Sequence, residues 1–229
     1  MSEFMASLSQ LSDRFRRARD IGLRDLIVSI SRPDQQMRII DIGGRFAYWQ
    51  RVGLDFLRSH DASVLVINQN LEEAGPNPDP SLLSAEVGDA CALNFPDKTF
   101  ALAHSNSVIE HVGSWDNMIR FASEARRVAR NLYVQTPYVW FPVDPHFAKF
   151  PGFHWLPRPT RAALLRKLPL AHAGLMHTLD QSLRAVDDAT LLDRGQMLHL
   201  FPDAPIRFER FLGLPKSMIA ETPAVGRSA

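Results

Sequence analysis

The sequence predicts an α/β fold, a doubly wound, mostly parallel seven-stranded sheet that ends in an antiparallel C-terminal hairpin. Three observations carry this. Seven short β-rich runs are spread along 229 residues, the first five with helical stretches between them, as in parallel strands joined by right-handed crossovers. The last two runs lie only a few residues apart, too close for a crossover and far enough for a hairpin. A hydrophobic content of 45% is enough for one sizeable core, so a single domain over 1–229 is expected.

The elements follow in order. Within residues 1–30, Leu8, Leu11, Phe15, Leu23, Leu26, Ile27 and Ile30 recur at mostly helical spacing among arginines and aspartates, which predicts a leading helix over 7–30. The local basic run Arg14, Arg16, Arg17 and Arg19 then falls on a solvated face. Strands are expected at Arg38–Ile42, Ser63–Asn68, Leu83–Val87, Phe100–Ser105 and Asn131–Thr136. From the N-cap Ser114 to Arg130 the spacing is helical, with Met118, Ile119, Phe121, Ala122, Ala125 and Val128 inward and arginines near the negative helix end.

The stretch Thr136–Pro159 is dense in proline and carries seven aromatics: Tyr138, Trp140, Phe141, Phe147, Phe150, Phe153 and Trp155. Proline removes a backbone donor and fixes its own φ, so residues 137–160 read as an ordered loop or lid. Helices are expected at Thr160–Lys167 and Ser182–Leu200, the second broken at Gly195. The hairpin is expected from Ile206–Leu212 and Ser217–Glu221, turning through Gly213–Lys216.

Composition excludes several classes. Lys+Arg of 26 against Asp+Glu of 25 gives a formal charge of +1, so no global field favours nucleic acid or an anionic membrane. Cys91 is the one cysteine, which rules out an intramolecular disulfide and a two-thiol metal site. The histidines lack compact ligand spacing, so no metal site is expected. No apolar run approaches the roughly 20 residues of a membrane span and the N-terminus lacks a signal-peptide core. A cytoplasmic protein is the expectation, its oligomeric state left open.

Two motifs bear on chemistry. "RIIDIGGRFAYW", Arg38–Trp49, ends a strand in Asp41 and then Gly43-Gly44, which either lets main-chain amides approach a ligand closely or makes a plain turn. A dinucleotide fingerprint needs further glycine entering the helix, and here Arg45 and Phe46 follow. "GDACALNFPDKTFALAHSNSVIEHV", Gly88–Val112, sets an aspartate after a short strand, then a turn, an apolar strand and a polar loop.

Together these runs resemble the class I S-adenosylmethionine-dependent methyltransferases, within them a type-11-like bacterial group, whose fold is Rossmann-like. The resemblance implies that Asp41, Gly43 and Gly44 line the methionine end of S-adenosyl-L-methionine. It implies that Asp89 and Ala90 meet the adenine, and that Ser105, Asn106 and Ser107 pass beneath the methionine. Asn68 stands where that family usually holds an acid for the ribose hydroxyls, and Gln69 or Glu72 could substitute for it.

Methyl transfer is an in-line displacement, so alignment does much of the work, and a base is needed only for a protonated acceptor. The candidate bases are His111, His146 and His154, whose unperturbed pKa is near neutral. His111 equally reads as a loop-orienting residue, and His154 as packing against Trp155. The lid aromatics are consistent with an apolar acceptor pocket, with Tyr138, Trp140, Asp144 and Arg158 as substrate contacts. The function expected is methyl transfer to a small apolar or aromatic metabolite. The competing classes are a non-catalytic partner protein and a nucleotide-cofactor oxidoreductase; no basic stripe with interleaved aromatics favours an RNA acceptor.

Overall fold

The computed structural model describes residues 19–33, 35–147, 150–171 and 173–223. Seven strands form one sheet: β1 (Met37–Ile42), β2 (Ala62–Asn68), β3 (Leu83–Val87), β4 (Phe100–Asn106), β5 (Ala129–Pro137), β6 (Ile206–Phe211) and β7 (Leu214–Glu221). Their order is β3-β2-β1-β4-β5-β7-β6. The first five pair in parallel, and β7 enters antiparallel between β5 and β6. The expected strands therefore lie where the β-rich runs stand, extended by one to three residues at some ends and, for β6, shortened by one. The chain reverses at β1, whose neighbours are β2 and β4, and this leaves a crevice at the strands' carboxyl ends.

Helices cover both faces. On one lie helix α1 (residues 19–30), α2 (Phe46–Val52) and α3 (Leu54–Ser59), which bury Leu23, Ile27, Trp49 and Leu57 against Ile39, Val64 and Leu102. On the other, α4 (Trp115–Val128) packs Met118, Phe121, Ala122 and Ala125 against Ile40, Ile42 and Ala103. Each large side chain so buried contributes about 1.5–3 kcal/mol. Ser114 caps α4 by accepting from Asn117 N, as its sequence predicts. Ile119 was expected inward and is 40% exposed, because it sits one residue, or about 100°, off the stripe that Met118 and Ala122 define.

The expected leading helix is described from residue 19 onward; Leu8, Leu11, Phe15, Arg14, Arg16 and Arg17 lie outside the described residues. Three further boundaries differ from the sequence reading, the first being the helix expected over Thr160–Lys167, which runs from Arg158 to Leu165. The helix expected over Ser182–Leu200 is two, α6 (Leu179–Asp187) and α7 (Arg194–Leu200), with Gly195 inside the second. Capping boxes fix both starts, Thr178 with Gln181 and Asp193 with Gln196, so the break precedes the glycine. The hairpin turns on Leu212 and Gly213, at φ +48° and +82°, a two-residue turn that leaves Leu214–Lys216 free to join β7.

Between β5 and α7 the chain builds a small layer of its own. Phe147 and Phe153, in two 3₁₀ turns of the proline-rich stretch, pack with Leu165 of α5 (Arg158–Leu165) and Val186 of α6. The lid is thus ordered by a separate apolar cluster, and these two aromatics belong to it and not to a pocket wall. Among the described residues, no helix is long and apolar enough to cross a membrane.

Candidate active site

The loops that follow β1, β2, β3 and β4 surround a cavity of about 650 Å³. Gly43 lines it from the first loop, Asn68, Gln69 and Glu73 from the second, Gly88, Asp89 and Ala90 from the third, and Ser107, Val108 and His111 from the fourth. Four successive loops converge because four adjacent strands run parallel and end at one edge.

Two glycines keep this cavity open. Gly43 adopts φ +74°, and a Cβ there would stand 2.6 Å from the Val108 methyls. A Cβ on Gly88 would come within 2.8 Å of Ile67 Cγ2. At both positions the backbone packs too closely on its neighbours to admit a side chain, which fixes the shape of the cavity wall. Ser107 holds φ +59° with its hydroxyl donating to Gln135 Oε1 at 2.9 Å, an uncommon conformation for a non-glycine residue and characteristic of loops at sites.

Asp41 lies elsewhere. Its side chain is fully buried, with Oδ2 accepting from Trp49 Nε1 at 2.7 Å and Oδ1 meeting His104 Nδ1 at 2.6 Å. Gly44 covers this carboxylate: a Cβ at 44 would fall 1.6 Å from Asp41 Oδ2. Asp41 and Gly44 therefore shape the loop from below and do not line the cavity. Ser105 and Asn106 also stand off it, since the Ser105 hydroxyl donates to Ile42 O at 2.9 Å and Asn106 Oδ1 accepts from Arg19 at 2.6 Å. Ser107, the third residue of that loop, is the one on the wall.

Asn68 lines the cavity while its Nδ2 donates to Gly44 O at 2.9 Å. What it can still offer a hydroxyl is its carbonyl oxygen. Asp89 Oδ1 accepts from Cys91 N at 2.8 Å, an Asx turn that fixes the side chain beside Ala90 on the wall. Gln69 and Glu73 line the cavity and Glu72 does not. The 3₁₀ turn Leu71–Ala74 displaces the inward acid by one position, a shift the bare sequence does not signal. Arg120 and Asn117 on the first turns of α4 were likewise missed; nothing in their spacing pointed to the cavity. Burial pushes the Cys91 thiol up, so this lining sulfur is held protonated.

At the cavity's edge His111 and His146 meet, Nε2 to Nε2, at 3.1 Å with rings nearly perpendicular. His111 Nδ1 donates to Asp188 O at 2.9 Å, and His146 Nδ1 donates to Asp144 Oδ1 at 2.7 Å. Burial opposes charge on both members of the second pair. Their hydrogen bond still wins, holding the Asp144 carboxyl below its ordinary range and lifting the His146 imidazole above its own. Glu110 beside them is fully buried, its Oε2 accepting from Thr136 Oγ1 at 2.9 Å, and burial raises its carboxyl. Residues 110 and 111 and residue 146 are far apart in sequence but come together because β4 and β5 are adjacent. The absence of compact spacing therefore did not bear on whether a metal cluster can form.

The remaining expected residues do not join this group. His154 Nε2 donates to Val139 O at 2.8 Å, as does Trp155 Nε1. With Asp144 and Arg161, His154 borders a second cavity of about 450 Å³ that shares no lining residue with the first. The Arg158 guanidinium is engaged by Asp187 on the surface. Tyr138 packs edge-on against Phe208, and Trp140 is 62% exposed beside Trp155.

Residues 44–132 match the model of a family described as a methyltransferase domain. An S-adenosylmethionine-dependent methyltransferase from Mesorhizobium loti superposes with a TM-score of 0.51 at 13% identity, over 85% of this chain and 94% of that one. A putative Zn-dependent alcohol dehydrogenase from Rhodobacter sphaeroides gives a TM-score of 0.51 at 14% identity, over 85% and 86%. At such identity the likeness speaks for the fold alone. A putative sarcosine dimethylglycine methyltransferase from Galdieria sulphuraria is 13% identical with a TM-score of 0.41 over 57% of this chain and 47% of its own, so the chain spans about half that protein's length. No curated protein sequence matches the chain. The matched segment holds Gly44, the Asp89 turn and strands β2, β3 and β4, three of the four whose ends frame the cavity, and over that segment the chain is similar to a methyltransferase domain.

Proposed function

We propose that the chain transfers the methyl group of S-adenosylmethionine to an oxygen or nitrogen of a small acceptor with apolar or aromatic character. The observation that carries this is the single cavity shared by Gly43, Asn68, Asp89 and Ser107, one residue or more from each of four adjacent strand ends. Main-chain groups at Gly43 and around Ser107 would hold the amino-acid end of the cofactor. The Asn68 carbonyl and Glu73 would accept from ribose hydroxyls, and Asp89 with the Ala90 amide would meet the adenine. Bound there, the cofactor supplies an electrophilic methyl on a sulfonium.

The chain's own part is then mainly positioning. Holding the acceptor in line removes the entropic cost of a bimolecular encounter. His111, at the inner edge of the cavity, presents an Nε2 whose lone pair is fixed by donation from Nδ1 to Asp188 O. That Nε2 faces His146 Nε2 at 3.1 Å, with Asp144 behind, so His111 orients the acceptor from the cavity edge and takes its proton only when this lone pair is not otherwise engaged. His154, facing the second cavity, is less suited to that role.

Calorimetric titration tests this reading. S-adenosylmethionine and S-adenosylhomocysteine are expected to bind with one site per chain, and NADH is expected to give no heat. No binding at millimolar S-adenosylmethionine would favour a non-catalytic partner, and binding of NADH alone would favour an oxidoreductase.

A further inference from the structure

We propose that Glu110, His111 and His146 bind one divalent transition-metal cation at the edge of the cavity. One ligand atom from each of the three lies within 4.8 Å of the other two. The Nε2 atoms of the histidines are 3.1 Å apart. Two imidazoles bound to one tetrahedral ion at about 2.0–2.1 Å hold their nitrogens about 3.3 Å apart, so the pair already has the bite of a cation site.

The hydrogen bonds explain why something must sit between the rings. Asp188 O is a carbonyl, and Asp144 Oδ1 already accepts from His146 N at 2.9 Å, so each Nδ1 carries the proton. In the neutral tautomers both Nε2 atoms then present lone pairs to each other at 3.1 Å. A shared proton or a cation relieves that repulsion, and Glu110 decides between them. Glu110 is 0% exposed, and its Oε1 is buried with no hydrogen-bond partner among the described residues. A buried carboxylate oxygen without donor or counter-ion is costly, and a metal ion supplies what is missing.

The surroundings fit as well. Metal-binding histidines characteristically donate their second nitrogen to a carboxylate or a main-chain carbonyl, and here one does each. Two imidazoles and a carboxylate suit zinc or a neighbouring first-row ion, and three protein ligands leave a position open. His111 belongs both to the cluster and to the cavity wall. On the methyl-transfer reading, which this consequence rests on, the open position takes an acceptor hydroxyl. That hydroxyl gives its proton to solvent more readily on the cation, and its oxygen then accepts the methyl as the carbon–sulfur bond breaks to leave a thioether.

The test uses the full chain, freed of metal by a chelator and titrated with Zn²⁺ by calorimetry and Co²⁺ by visible absorption. One ion per chain is expected, with affinity lowered at least about tenfold in His111→Ala and in His146→Ala, and unchanged in His60→Ala as a control for surface histidines. Glu110→Gln, checked for an unaltered melting temperature, tests the carboxylate separately and is expected to weaken binding too. Absence of a stoichiometric ion, or affinity unaltered in both histidine variants, overturns the proposal. So does an imidazolium proton seen by NMR between the rings in zinc-saturated protein. Titrating S-adenosylmethionine into the same samples separates the two readings. Cofactor binding without metal binding removes the cation site and leaves methyl transfer standing, and the reverse result removes methyl transfer alone.

Discussion

Asp41 Oδ1 and His104 Nδ1 meet at 2.6 Å on neighbouring strands, with both side chains 1% exposed. Trp49 Nε1 donates to the other carboxylate oxygen, so one acid ties β1 to β4 and to α2 directly beneath the glycine turn. Asp41→Ala leaves two buried donors without an acceptor, each costing about 1–3 kcal/mol. We expect a loss of at least about 2 kcal/mol in denaturant unfolding, with cofactor affinity of the folded fraction weakened less than in a variant of Asp89. Unchanged stability with abolished cofactor binding would instead put Asp41 in direct contact with the ligand.

Asn68 gives a prediction opposite to what a family comparison alone would suggest. Introducing the acid usual in the family that the sequence resembles, Asn68→Asp, sets a carboxylate oxygen 2.9 Å from Gly44 O, where an amide now donates. Lone pairs then face each other, so the variant is expected to lose about 1–3 kcal/mol of stability and to gain no cofactor affinity. A tighter complex with S-adenosylmethionine, measured by calorimetry, would show that the glycine loop can move to accommodate the acid.

Asp89→Ala removes a side chain that is exposed and contributes one local turn hydrogen bond, so the fold should barely notice it. Cofactor affinity is expected to fall by about 1–3 kcal/mol, the scale for losing a partner in a buried hydrogen bond. Thermal melts and calorimetry on the same preparation separate the two effects. Equal affinity in wild type and variant would mean that the adenine lies against another loop.

His111→Ala is expected to leave cofactor affinity within about twofold and to lower turnover by about 10²–10⁴-fold, the usual contribution of a positioned acid–base group. The readout is single-turnover methyl transfer once an acceptor is in hand. Full activity in this variant would remove residue 111 from the reaction and leave it as an orienting partner of Asp188 and His146.

The strands were legible because each β-rich run is bounded by turn residues, and the closing hairpin because its two runs are too close for a crossover. Gly43, Asn68, Asp89 and Ala90 reach the cavity because they sit at strand ends, a position that sequence conveys. Glu73 was not legible, since only the 3₁₀ winding of residues 71–74 turns it inward in place of Glu72. The cluster of Glu110, His111 and His146 depends on β4 lying next to β5, a tertiary fact that no local spacing encodes. Arg158 reads as a substrate anchor only until Asp187, on a different helix, is seen to engage it.

The fold's acid sensitivity should centre on Glu209. Burial opposes ionisation of this carboxyl, but Arg19 grips both its oxygens, at 2.9 and 2.6 Å, and Ser217 donates to it, so its pKa is held below the ordinary carboxylate range. A carboxyl depressed in the folded state contributes stability that is fully present above its unfolded pKa and is lost as pH falls through the folded value. The pair joins α1 to β6, and Arg19 also donates to Asn106 beside the cavity loop, so losing it should loosen that loop with the helix. We expect the wild-type melting temperature to exceed that of Glu209→Gln at neutral pH and the gap to close as the pH drops below about 4, where the carboxyl of the unfolded chain is already protonated. A gap that stays constant from pH 7 to pH 3 would show that the two residues do not interact as an ion pair.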